Sequence, residues 1–123
     1  MLLEDFYKVL ESRVYEETVF EVRVKIHKDH DIFKGHFPNF PVTPGVAMLQ
    51  IIKNSLENHL KKSLFLQSSS SIKFLALVNP NEQNILIFNI KYAIDNELIV
   101  STINTSFIDG SAVLKCNATF VKN

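Results

Sequence analysis

Gly35-His36-Phe37-Pro38-Asn39-Phe40-Pro41-Val42-Thr43-Pro44-Gly45-Val46 holds three of the chain's four prolines and two of its three glycines. Each proline fixes its own φ near about −65° and biases the residue before it toward extended backbone. The stretch therefore reads as a stiff, non-helical lead-in that carries one histidine, His36. Its end, Thr43-Pro44-Gly45, reads as a helix start, with Thr43 as N-cap and Pro44 at the first helical position. A histidine on a rigid loop, with a helix N-terminus nine residues later, supplies a candidate base and a candidate oxyanion site.

Downstream of Pro44, Val46, Leu49, Ile52, Leu56 and Leu60 form one stripe, widened by Met48 and Ile51. So wide an apolar face predicts a largely buried helix over residues 44 to about 60. Upstream, Leu2, Leu3, Phe6, Val9 and Leu10 recur at helical spacing and predict a short amphipathic helix. From Thr18 the period changes to two: Phe20, Val22, Val24 and Ile26 alternate with Glu21, Arg23, Lys25 and His27, a half-buried strand. Lys28 to Phe33 reads as a polar loop.

After the helix only strands are predicted. Leu64 to Val78 is a strand with a polar face at Ser68-Ser69-Ser70-Ser71. Asn79-Pro80-Asn81 is a turn. Ile85 to Ile94 places Leu86, Phe88, Ile90, Tyr92 and Ile94 on one face. Asp95-Asn96-Glu97 turns the chain into Leu98 to Ile108. Asp109-Gly110 is a tight-hairpin signal, and Ala112 to Val121 closes the domain. One early buried helix and a run of late antiparallel strands make a single α+β domain over residues 1–123, with a sheet wrapping one central helix.

Thirteen basic and thirteen acidic residues cancel, so no basic excess points to nucleic acid. Cys116 is the only cysteine; it forms neither a disulfide framework nor a thiolate metal site and reads as a core residue. His27, His30 and His59 have no metal-ligand spacing. The charges at Glu4, Asp5 and Lys8 argue against a signal peptide, and the apolar runs fall short of a membrane span. The expectation is a soluble, cytoplasmic protein in a reducing compartment.

The stretch from Phe33 to Val46 resembles the signature of the hot-dog fold 3-hydroxyacyl-[acyl-carrier-protein] dehydratases, F-x-G-H-F-P-G-x-P-x-x-P-G-V. A weaker match, Ile72-Lys73-Phe74 followed by Val78-Asn79-Pro80-Asn81, is similar to that family's K-F strand and V-x-P-G-D turn. The resemblance implies a hot-dog domain and a hydro-lyase, or dehydratase, of fatty acid biosynthesis. It implies a homodimer, or a multiple of dimers, with acyl tunnels at the interface. The substrate would be an acyl chain linked through phosphopantetheine to acyl carrier protein, and no cofactor or metal is implied. His36 would be the base acting on the C2 proton. Gly45 and Val46 would bind the thioester oxygen, Phe37 and Phe40 would line the tunnel, and Lys34 and Lys73 would meet the carrier protein.

The family's acid, Glu or Asp, stands fourteen residues after the histidine, on the other subunit's helix. Here that position is Gln50. A carboxamide hydrogen-bonds a hydroxyl or water but cannot donate a proton as an acid. Asn39 and Asn81 replace usual glycines, a milder change because Asn tolerates left-handed backbone. Glu57, about 10 Å further along a helix, is too far to stand in for Gln50. Asp29 and Asp31 read as solvated loop charges. The sequence leaves three activities open: dehydration with impaired turnover, thioester hydrolysis on the same fold, and a non-catalytic carrier-binding or partner subunit.

Overall fold

In the computed structural model, residues 5–34 and 42–122 are described. Six strands form one sheet: β1 (Tyr7–Glu16), β2 (Val19–Ile26), β3 (Leu64–Phe74), β4 (Ile85–Asp95), β5 (Leu98–Ser106) and β6 (Ala112–Lys122). A 3-10 turn, Asp31–Phe33, and one long helix, α1 (Gly45–Leu60), lie between β2 and β3. The spatial order is β1-β2-β4-β5-β6-β3, and every neighbouring pair is antiparallel. This is the hot-dog arrangement, a curved antiparallel sheet around one helix.

The alternation in β2 and β4 sets the inner face. Phe20, Val22, Val24 and Ile26 are buried, as are Leu86, Phe88, Ile90 and Tyr92. The register carries rows of side chains across the sheet. One row runs Val14, Phe20, Ile90, Ile103, Cys116; the next runs Ser12, Val22, Phe88, Thr105, Leu114, Phe74. The helix packs into these rows through Ala47, Met48, Ile51, Ile52, Ser55 and Leu56. Its buried face is therefore rotated from the predicted stripe: Val46 is 66% exposed, while Leu49 and Leu60 sit at the core's margin.

The predicted N-terminal helix is a strand from Tyr7 onward. Tyr7, Val9, Val14 and Tyr15 favour extended backbone, and β1 pairs along nearly all of β2, which outweighs the local helical spacing. Helix capping also differs from expectation. Pro44, with extended φ and ψ, is the N-cap, and no side chain among the described residues caps the helix. Thr43 spends its N–H on the carbonyl of Val78 at 2.8 Å. At the other end Lys61 takes the left-handed conformation, φ 56°, and closes the helix onto the Glu57 carbonyl.

Strand β3 lies at one sheet edge, exposed along almost its whole length. The serine run contains an irregularity: Ser71 has φ 51°, and the register with β6 slips between Ser70 and Lys73. A β-bulge there re-aims the strand before Phe74. The two-residue turn Asn96-Glu97 joins β4 to β5 with Asn96 at φ 58°, and Gly110 at φ 90° turns the loop before β6.

Candidate active site at the helix start

A proline N-cap leaves the first turn of α1 with its N–H groups unserved by any side chain among the described residues. The amides of Ala47 and Met48 reach back to the Pro44 carbonyl, at 3.0 and 3.3 Å. Those of Gly45 and Val46 enter no hydrogen bond among the described residues. No acidic side chain stands in this turn, so the positive end of the helix dipole is not neutralised locally. Two uncommitted donors beside that dipole form an arrangement suited to a carbonyl oxygen that gains charge.

The surroundings are apolar. A cavity of about 320 Å³ opens here, and Pro44, Val46, Met48, Phe74, Leu77 and Val78 help line it. Phe74, the last residue of β3, lies across Gly45. A Cβ built on Gly45 would come within 2.5 Å of the Phe74 ring, so glycine here permits the close approach of strand end and helix start. Thr43 also borders the cavity; it is 2% exposed and its hydroxyl has no hydrogen-bond partner among the described residues.

Gln50 lies one turn into the helix, half-buried. Its Nε2 donates to Asn54 Oδ1 at 2.8 Å, and Asn54 Nδ2 donates to the Tyr7 hydroxyl at 2.9 Å. Sequence reasoning missed both partners. The four-residue step from Gln50 to Asn54 was a usable signal. Tyr7 is 47 residues from Asn54, and only the sheet brings it there.

His36, Phe37 and Phe40 lie outside the described residues. Lys34 is exposed and pairs with Asp31 at 3.0 Å, an interaction that holds the Asp31 carboxyl below its usual range, mainly through the hydrogen bond from Lys34. Lys73 is exposed on β3 and stands directly opposite Lys115 of β6. Glu57 ties the end of the helix to the start of β3, accepting from Leu64 N–H at 2.8 Å and pairing with Lys53 at 3.3 Å. His59 stacks on Phe20 with centroids 4.1 Å apart. His27 Nδ1 is 2.7 Å from the carbonyl of Asp5, and His30 accepts from Ile32 N–H. Among the described residues no group of His, Cys, Asp and Glu could hold a metal ion. No helix there is long and apolar enough to cross a membrane.

Residues 11–107 match the family model described as ApeI dehydratase. The FabZ 3-hydroxyacyl-[acyl-carrier-protein] dehydratase of Streptococcus agalactiae is 28% identical over 127 residues, covering 98% of this chain and 86% of that protein. The protein of the same name from Fusobacterium nucleatum is 24% identical over 111 residues, covering 86% and 77%. Among solved structures, a chain of the dehydratase heterocomplex ApeI:P from Xenorhabdus doucetiae superposes with a TM-score of 0.78 at 18% identity, covering 93% of this chain and 96% of that one. A hypothetical thioesterase with coenzyme A from Streptococcus pneumoniae superposes at 0.68 with 13% identity, covering 95% and 85%. At these identities the superpositions show the fold alone.

Proposed function

The chain belongs to the ApeI-like dehydratase family, and from that premise we propose that it eliminates water from 3-hydroxyacyl thioesters of acyl carrier protein to give trans-2-enoyl thioesters. The observation that carries the reading is the helix start. Two uncommitted N–H groups, at Gly45 and Val46, border an apolar cavity, and Gln50 follows one turn later. The thioester oxygen accepts from those N–H groups, which draws electron density from C2 and acidifies its proton. Neutral His36, a base suited to near-neutral pH, takes that proton. The C3–O bond then breaks as the C2–C3 double bond forms. Gln50 holds the 3-hydroxyl by hydrogen bonding, and the proton that completes the departing water comes from solvent water, because a carboxamide has none to give. The hydroxide left behind takes the proton held by His36, which returns the imidazole to its neutral form.

The edge of β3, unpaired among the described residues, supports assembly as a homodimer, or a multiple of dimers. Its exposed Phe65, Leu66, Ile72 and Phe74 would pair with a second copy, and the site would combine His36 of one subunit with Gln50 of the other. Lys73 opposite Lys115 places two like charges together, which an acidic carrier protein would relieve. Lys34 is the second carrier contact in this reading, and Phe37 and Phe40 line the acyl tunnel. The protein works in the cytoplasm with its carrier. Gln50 also favours a second reading, in which the chain is the partner subunit of a hetero-assembly whose mate supplies the acid.

Appearance of enoyl-thioester absorbance from a 3-hydroxyacyl carrier tests the first reading. A positioned acid contributes roughly 10²–10⁴-fold, so native turnover should be low. His36→Ala should abolish it, and Gln50→Glu should raise it at least about tenfold. Native turnover that Gln50→Glu lowers would mean that Gln50 does not stand in for an acid. A folded, dimeric Gln50→Glu protein with no activity would favour the partner-subunit reading.

A further inference from the structure

Gln50 ends a chain of three polar side chains, and the far end is a phenol. An amide has a donating and an accepting end, whereas a tyrosine hydroxyl gives and accepts through one atom. In the observed sense Gln50 donates to Asn54, and Asn54 donates to Tyr7. This commits one N–H of Gln50 and leaves its second N–H and its carbonyl oxygen for the site. If Tyr7 turns its proton toward Asn54, both amides must reverse. Asn54 then donates to the Gln50 oxygen, and Gln50 faces the site with both N–H groups. The donor-rich sense suits an oxygen that gains negative charge as the C3–O bond breaks.

Tyr7 is held where it can act in this way. It lies opposite Ile26 in the β1–β2 register. Its ring meets Phe6 edge-on, with centroids 4.9 Å apart. Phe6 is fully buried, and its carbonyl accepts from His27 N–H at 2.8 Å. Among the described residues no acceptor takes the phenol's proton, so it is available to turn.

We propose that Tyr7 is a positioning residue that acts through Asn54 to set which end of the Gln50 amide the site presents. The proposal rests on the dehydratase reading for its consequence in catalysis, but not for the existence of the chain. Two measurements separate them. In ¹H–¹⁵N spectra of side-chain amides, Tyr7→Phe should shift both the Asn54 and the Gln50 NH₂ signals, although the hydroxyl it removes bonds only Asn54 among the described residues. In kinetics, Tyr7→Phe should lower kcat about three- to tenfold, the value of one hydrogen bond, with KM within about twofold. Asn54→Leu should cost about as much, and the double variant little more than either alone, because a serial chain is broken once. An unmoved Gln50 signal, or losses that simply add, would overturn the proposal. If the native protein shows no turnover, the dehydratase reading fails. The spectra then decide alone: a shifted Gln50 signal supports the chain and an unmoved one overturns it.

Discussion

At the residue scale, the buried hydroxyls are the informative groups. Thr105 lies in the middle of an inward row, between Phe88 and Leu114, 2% exposed and with no partner for its Oγ1 among the described residues. An unsatisfied buried hydroxyl costs about 1–3 kcal/mol. Thr105→Val, which keeps the branched shape, should therefore stabilise the fold by about 1 kcal/mol. Chemical denaturation would show a higher midpoint at unchanged slope; a lower midpoint would mean that the hydroxyl is served in solution. The sequence marks Gly45, Val46 and Gln50 because a motif and helical spacing fix their relation to one another. It marks neither Tyr7 nor the buried hydroxyl of Thr43, because their surroundings are assembled from strands distant in sequence. The exposure of Val46 was hidden for a related reason: a wide apolar stripe does not say which of its edges meets the sheet.

At the scale of elements, period two was the dependable signal. It located β2, β4 and β6, where one face is buried and the other wet. It was weakest in β1, whose inner residues Val9 and Val14 stay largely exposed, so that no buried face disciplines their spacing. In β3 the serine run hid the bulge at Ser71, a backbone feature with no side-chain signature. The same strand carries a prediction. An unpaired edge with apolar side chains invites another strand. In the dimeric reading, Phe65→Lys should yield a folded monomer at micromolar concentration, by light scattering after size exclusion, where the native 14.1 kDa chain runs as a dimer. A native monomer would defeat the shared-site arrangement. A dimer untouched by the substitution would move the interface elsewhere.

For the molecule as a whole, the core sets the response to alkali. Burial raises the Cys116 thiol, and burial followed by the nearby Glu17 raises the Tyr92 phenol. Both groups hold their protons in the folded state to higher pH than in the unfolded chain. Their contribution is thus fully present below the unfolded values, roughly 8.5 and 10, and is lost as pH rises through the folded ones. Urea midpoints should fall progressively above about pH 8.5, and Cys116→Ala should flatten the earlier part of that fall; a midpoint constant to about pH 10 would contradict it. Phe74, finally, belongs both to the edge strand and to the roof over Gly45. Anything that straightens or anchors β3 is transmitted through one ring to the helix start, whose amides bind the thioester in the proposed reading. Linkage makes such a connection reciprocal: if pairing of subunits sharpens affinity for an acyl carrier, the carrier must tighten the pairing by the same factor. Dimer dissociation constants measured with and without an inert acyl-carrier analogue would give that factor, and equal values would mean that assembly and substrate binding are independent.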